Sequence, residues 1–152
     1  MNREAFEAAS AREFDPARFI KLARTVGHGR ALGLDFHDSG ENWVELALPW
    51  RPELVSMPDS GIMATGAIVS LIDTCSGTAV WKRLGGYEPI VTADLRIDYL
   101  RPAAKGETVV ARCECYKLTR RVAFVRGVTH GGDAGRPIAH SAATFMITDP
   151  AN

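Results

Sequence analysis

Between residues 61 and 81 the chain reads GIMATGAIVSLIDTCSGTAVW, almost all apolar or small. The run predicts one long helix that starts at Thr65 or Gly66 and ends near Leu84. It has the length of a membrane span, but it carries Asp73, several Ser and Thr and three glycines, which favours a helix buried inside a soluble domain. After the GGYEP turn the period changes to two. In IVTADLRIDYL, Val91, Ala93, Leu95, Ile97 and Tyr99 alternate with Thr92, Asp94, Arg96 and Asp98, the pattern of a half-buried strand with Thr92 on its polar face. TVVARCECYKL, RVAFVRGVTH and PIAHSAATFMI continue as three more strands. They are separated by the basic corner Thr119-Arg120-Arg121 and the turn GGDAGR.

Upstream, NREAFEAASAREFDPARFIKLARTV is helical and is expected to break near FDP, because the residue before a proline resists helical dihedrals. ALGLDFHDSGENWVELALPW reads as two short strands around DSGEN, and RPELVSMPDSG as a loop. GHGRALG reads as a glycine-bearing loop. The chain therefore divides into an N-terminal helical segment, residues 1–30, and a main domain, residues 31–149. A large antiparallel sheet with a single long apolar helix has one economical packing: the sheet curls around the helix, an α+β architecture. One helix covers one sheet face, so the polar face is expected to meet another subunit.

At 152 residues the chain is long enough to bury a real core as one domain. Its 18 basic and 18 acidic residues balance, so no strong field draws it to nucleic acid or an anionic membrane. Three cysteines without framework spacing, and an N-terminus without an apolar leader, are expected of a cytoplasmic protein.

The chemistry concentrates on the long helix. Residues about four and seven apart share a helix face, so Gly66, Ser70, Asp73 and Gly77 form one narrow stripe of small residues. Burying a lone carboxylate is costly unless it is paired or used. Backbone N–H groups at the helix start form an electropositive site, and Gly66 offers its own with no side chain in the way. A donor for a carbonyl oxygen followed two turns later by a carboxylate suits attack on an ester or thioester.

GIMATGAIVSLIDTCSGTAVW, PIVTADLRIDYLRPAAKGETV and IAHSAATFMI together resemble the hotdog-fold acyl-CoA thioesterases of the phenylacetate-pathway type. The resemblance spans residues 31 to 147. It implies a curled antiparallel sheet around a central helix, hydrolysis of an acyl-CoA thioester, no metal or other cofactor, and a homodimer or homotetramer. It also implies that Asp73 is the catalytic base or nucleophile and that the Gly66 N–H holds the thioester oxygen. Thr92, contributed by the neighbouring subunit, would help place the attacking water. Ala64 and Thr65 stand where the family has a His and a first glycine, and Pro58 where it often has an Asn. Ala64, Thr65 and Ser70 would line the substrate site.

Arg101, Lys117, Arg120 and Arg121, at strand ends and a hairpin corner, are candidates to grip the phosphates of coenzyme A. Cys113 and Cys115 read as core residues, since a metal site needs more ligands. His28, His37, His130 and His140 are scattered, and His140 reads as a structural residue on its strand. Two other functions fit the same fold: an acyl-CoA-binding module without catalysis, and a dehydratase acting on a hydroxyacyl thioester. The latter wants a His near Asp73, and none is close in sequence.

Overall fold

The computed structural model describes residues 13–148. In chain order the elements are α1 (Pro16–Ala23), α2 (Gly27–Leu32), β1 (Asp35–Ser39), β2 (Trp43–Leu48), a 3-10 turn (Pro52–Leu54), α3 (Thr65–Leu84), β3 (Ile90–Tyr99), β4 (Val109–Leu118), β5 (Val122–His130) and β6 (Pro137–Ile147). The helix expected before residue 13 lies outside the described residues.

The six strands form one antiparallel sheet in the order β1-β2-β4-β5-β6-β3. Helix α3 supplies the centre of the core. Its Leu71, Ile72, Cys75 and Val80 cluster with Leu46 and Leu48 of β2, Val109 and Cys113 of β4, Val125 of β5 and Ile138 of β6, all fully buried. Each such aliphatic side chain contributes about 1.5–3 kcal/mol on leaving water. The stretch with the length of a membrane span is therefore the core helix, and no helix among the described residues is long and apolar enough to cross a membrane. Cys75, Cys113 and Cys115 are all buried free thiols.

Residues 13–15, at the break expected near FDP, are non-helical, and the Asp-Pro pair there starts helix α1. Asp15 caps α1, its Oδ1 accepting from the Ala17 N–H at 2.9 Å, and Pro16 takes the first helical position, where no N–H is needed. The segment expected to be a loop, GHGRALG, is largely the helix α2. Gly29 makes this possible: a Cβ there would stand 2.3 Å from the Ala23 carbonyl oxygen, so only glycine lets α2 fold back onto the end of α1. The pair is tied down at both ends. Phe14, Phe19, Trp81 and Tyr87 form an aromatic box that holds α1 to the last turns of α3, with Trp81 and Tyr87 stacked at 4.2 Å. At the other end the Arg51 guanidinium donates to the Ala31 and Leu32 carbonyls that end α2. Ile20 and Leu32 belong to the same apolar core as α3.

One register detail positions the site. Along β3, Thr92 pairs with Phe145 and Asp94 with Thr144, so Ala93 is an extra residue in a bulge. A bulge inverts the facing of everything on one side of it. The alternation expected from sequence put Thr92 on the polar face with Asp94; instead Ile90 and Thr92 face α3, as do Leu95 and Ile97 beyond the bulge.

Candidate active site

Helix α3 begins without a side-chain cap, because Ala64 at the N-cap has no acceptor atom. The Ala67 and Ile68 N–H groups bond the Ala64 carbonyl, and among the described residues no acceptor meets the Gly66 N–H. Gly66 has ordinary helical dihedrals, and a Cβ there would meet nothing within 4 Å. Neither backbone nor packing requires glycine at this position. The space above it is open, and an unbonded N–H at the positive end of a 20-residue helix faces that space.

Two turns on, Asp73 lies half-buried in the stripe. Thr92 Oγ1 donates to Asp73 Oδ1 at 2.9 Å, within the same chain. The bulge at Ala93 turns this threonine onto the helix of its own chain. The bond fixes one carboxylate oxygen, and among the described residues no donor meets the other. Gly66 and Asp73 are separated by roughly 10 Å of helix axis, and helical side chains lean back towards the N-terminus. That distance accommodates a carbonyl at one end and an attacking water at the other.

Between them Ser70 Oγ donates to the Gly66 carbonyl at 3.1 Å, and His28 Nε2 lies 3.1 Å from Ser70 Oγ. With the serine proton committed to Gly66, the ring N–H is the donor. His28 arrives from α2, on the opposite flank of the stripe from Thr92. Sequence reasoning missed it, and the signal that could have found it is the close-packing glycine next to it, Gly29. Thr65, also exposed, receives the Tyr99 hydroxyl on its carbonyl at 3.4 Å. Ala64 is half-buried at the cap, its N–H on the Leu54 carbonyl.

The four basic candidates do not come together. Arg101 spends all five of its N–H bonds inside the chain: its Nε and Nη2 reach the Arg136 carbonyl, Nη1 the Pro102 carbonyl, and the fork takes Glu107 at 2.8 and 3.0 Å. Arg101 is thus a corner clamp with no donor left for a phosphate, and its hydrogen bond holds the Glu107 carboxyl below the usual glutamate range. Lys117, Arg120 and Arg121 are exposed around the β4–β5 corner. His140 stands exposed on the outer sheet face near Arg126 and Ser141, away from the stripe. Among the described residues no three His, Cys, Asp or Glu side chains converge on one point.

A curled six-stranded sheet around a central helix, with an open N–H at the helix start and a fixed carboxylate two turns along, defines a hotdog-fold thioester hydrolase. The Thioesterase superfamily matches residues 60–136, from the loop before α3 to the end of the β5–β6 turn, and the chain belongs to this family. It is 30% identical over 131 residues to the medium/long-chain acyl-CoA thioesterase YigI of Escherichia coli, covering 78% of this chain and 83% of that one. Among solved structures, a Pseudomonas aeruginosa protein is 36% identical, with a TM-score of 0.76 over 88% of this chain and 96% of that chain. A Haemophilus influenzae thioesterase shares the fold at a TM-score of 0.79 and 20% identity, over 93% of this chain and 95% of that one.

The Thr92–Asp73 bond leads to a graded expectation. Thr92→Val keeps the shape and removes the donor, so the carboxylate loses its fixed orientation. Turnover of an acyl-CoA substrate is expected to fall about 10- to 150-fold, with KM little changed, in line with a hydrogen bond to a charged group worth roughly 1.5–3 kcal/mol. Thr92→Ser restores the hydroxyl and should recover most of the loss. Equal rates for the valine variant and the wild type would show that the orientation this bond gives Asp73 does not matter for turnover.

Proposed function

We propose that the chain hydrolyses acyl-CoA thioesters in the groove along the first half of α3. The thioester oxygen sits on the Gly66 N–H, where charge develops as the carbonyl becomes tetrahedral. Asp73, with one oxygen held by Thr92, takes a proton from a water through its other oxygen. The water oxygen bonds to the acyl carbon, the intermediate collapses, the carbon–sulfur bond breaks, and the proton held by Asp73 passes to the departing sulfur, releasing coenzyme A and the free acid. Ala64, Thr65 and Ser70 border the groove that the substrate occupies. The observation that carries this reading is the glycine at 66, kept where neither dihedrals nor neighbours demand one, on the same stripe as the carboxylate. The name of the YigI relative supports acyl-CoA as the substrate class. Incubating the pure protein with a panel of acyl-CoAs and a thiol reagent tests it. Binding without thiol release would replace the enzyme with a binding module.

The active form is a homodimer, or a tetramer built from such dimers. Strand β3 is ten residues long and lies at the sheet edge, a row of unpaired backbone groups suited to a second copy. Val91 of β3, Val69 of α3 and Met146 of β6 stay exposed beside it. In one chain the Arg121 carbonyl accepts from Ile147 beside the start of β3, while Tyr99 at its other end reaches Thr65. Antiparallel pairing of two β3 edges about a two-fold axis would bring the basic corner of one subunit near the helix start of the other. There Lys117, Arg120 and Arg121 would meet the phosphates of coenzyme A. Light scattering at micromolar concentration is expected to give a dimer or tetramer; a monomer would refute the shared arrangement. Three unpaired buried thiols support a reducing, cytoplasmic location.

A further inference from the structure

A helix with alanine at its N-cap and glycine in its first turn lacks two usual sources of rigidity. Ala64 has no side-chain acceptor for the first N–H groups, and glycine has the most conformational freedom to lose. An oxyanion donor works by being aimed before charge develops, so the Gly66 N–H would serve poorly if its peptide planes could swing. Side chains from two distant elements close on those planes. On one side the Tyr99 hydroxyl, at the end of β3, reaches the Thr65 carbonyl at 3.4 Å. That carbonyl and the Gly66 N–H belong to the same peptide group. On the other side Ser70 Oγ donates to the Gly66 carbonyl at 3.1 Å, and His28 Nε2, from α2, stands 3.1 Å from that serine oxygen. The ring holds the hydroxyl in the rotamer that reaches back one turn. The chain entering the helix is fixed as well, with the Ala64 N–H on the Leu54 carbonyl at 2.7 Å and the Met63 N–H on the Ala103 carbonyl at 3.2 Å.

We propose that His28 and Tyr99 are positioning residues for thioester hydrolysis: acting through Ser70 and the Thr65 carbonyl, they hold the Gly66 N–H aimed at the oxyanion. This role rests on the thioesterase reading and adds to it two residues that act on the donor rather than on the substrate. They replace the missing cap with contacts from outside the helix. The bond to the Thr65 carbonyl has a second effect. It draws electron density to that oxygen, which polarises the peptide and makes its N–H a stronger donor. Burial pushes the Tyr99 phenol up from its ordinary value, so the hydroxyl keeps the proton it donates. The fold-back of α2 at Gly29, which packs the helix pair, is also what puts His28 within reach of Ser70.

The experiment is a double-mutant cycle, read with the acyl-CoA of the panel that the wild type hydrolyses fastest. His28→Leu and Tyr99→Phe each delete a donor from an exposed side chain, so folding is spared. Each is expected to lower kcat about two- to twelvefold with KM little changed, the range of a single neutral hydrogen bond. His28→Gln returns an N–H near the place of Nε2 and should recover most of the rate. In a Gly66→Pro background no N–H is left to aim, so neither substitution should cost anything further. A residue with a purely structural role would cost the same factor in both backgrounds. The Gly66 amide gives a direct reading by NMR relaxation. Its order parameter should match rigid backbone in wild type, about 0.85, and fall in both variants. A variant with wild-type kcat, or one whose loss persists undiminished beside the proline, removes its residue from this role. Failure of both, or a Gly66 order parameter unchanged in both, overturns the proposal and leaves the thioesterase assignment standing. A wild type that hydrolyses no member of the panel overturns both.

Discussion

Asp73→Asn is expected to leave a folded protein of unchanged assembly whose turnover is lower by roughly two to four orders of magnitude, the usual cost of losing a general base. The substitution is nearly isosteric, and the amide oxygen of asparagine can still accept from Thr92 Oγ1, so the hydrogen bond between these two residues survives. What disappears is the negative charge that, in the proposed mechanism, takes the proton of the attacking water. The loss should therefore appear in kcat, with KM close to wild type. Helical content by circular dichroism and mass by light scattering serve as the controls for folding. A variant that still turns over acyl-CoA within a few-fold of wild type would remove Asp73 from the mechanism, and the reason for a carboxylate in the middle of the core helix would have to be sought elsewhere.

Gly66→Pro is the second large effect. Among the described residues the Gly66 N–H has no acceptor, so proline deletes a donor that this part of the fold does not use. It enters at the second helical position, in the first turn, where proline is tolerated, and the restriction it places on Thr65 should show as a lower melting temperature. Loss of one oxyanion donor costs about 2.7–4 kcal/mol, or roughly two to three orders of magnitude in rate. Gly66→Ala separates the two roles of this position. It keeps the N–H, improves helix propensity by up to about 1 kcal/mol, and puts a methyl group into the open space above the helix. That variant should melt higher than wild type and still be slower, because the methyl stands where the proposed mechanism docks the carbonyl. A folded proline variant with wild-type rates would place the oxyanion on some other donor.

Much of this protein was legible because its signals are local. The spacing of Gly66, Ser70 and Asp73 on one stripe follows from 3.6 residues per turn once the helix is recognised, and its long apolar run makes it recognisable. The burial of Cys113 and Cys115 and the succession of strands after the helix follow from a period of two. The facing of Thr92 did not follow. Val91, Ala93, Leu95 and Ile97 alternate without a flaw, and nothing in that pattern announces that Ala93 is an extra residue; only pairing with β6 decides it. Arg101 carries the same charge as its neighbours at the sheet corners, and it took the position of Glu107 and two carbonyls to make it a clamp. The place of His28 depends on α2 folding back over α1, a turn set by the contact of Gly29 with the Ala23 carbonyl. Periodicity reports which face of an element a residue occupies. Which residue from a distant segment meets that face is decided by register and packing, and these exist only once the chain has closed on itself.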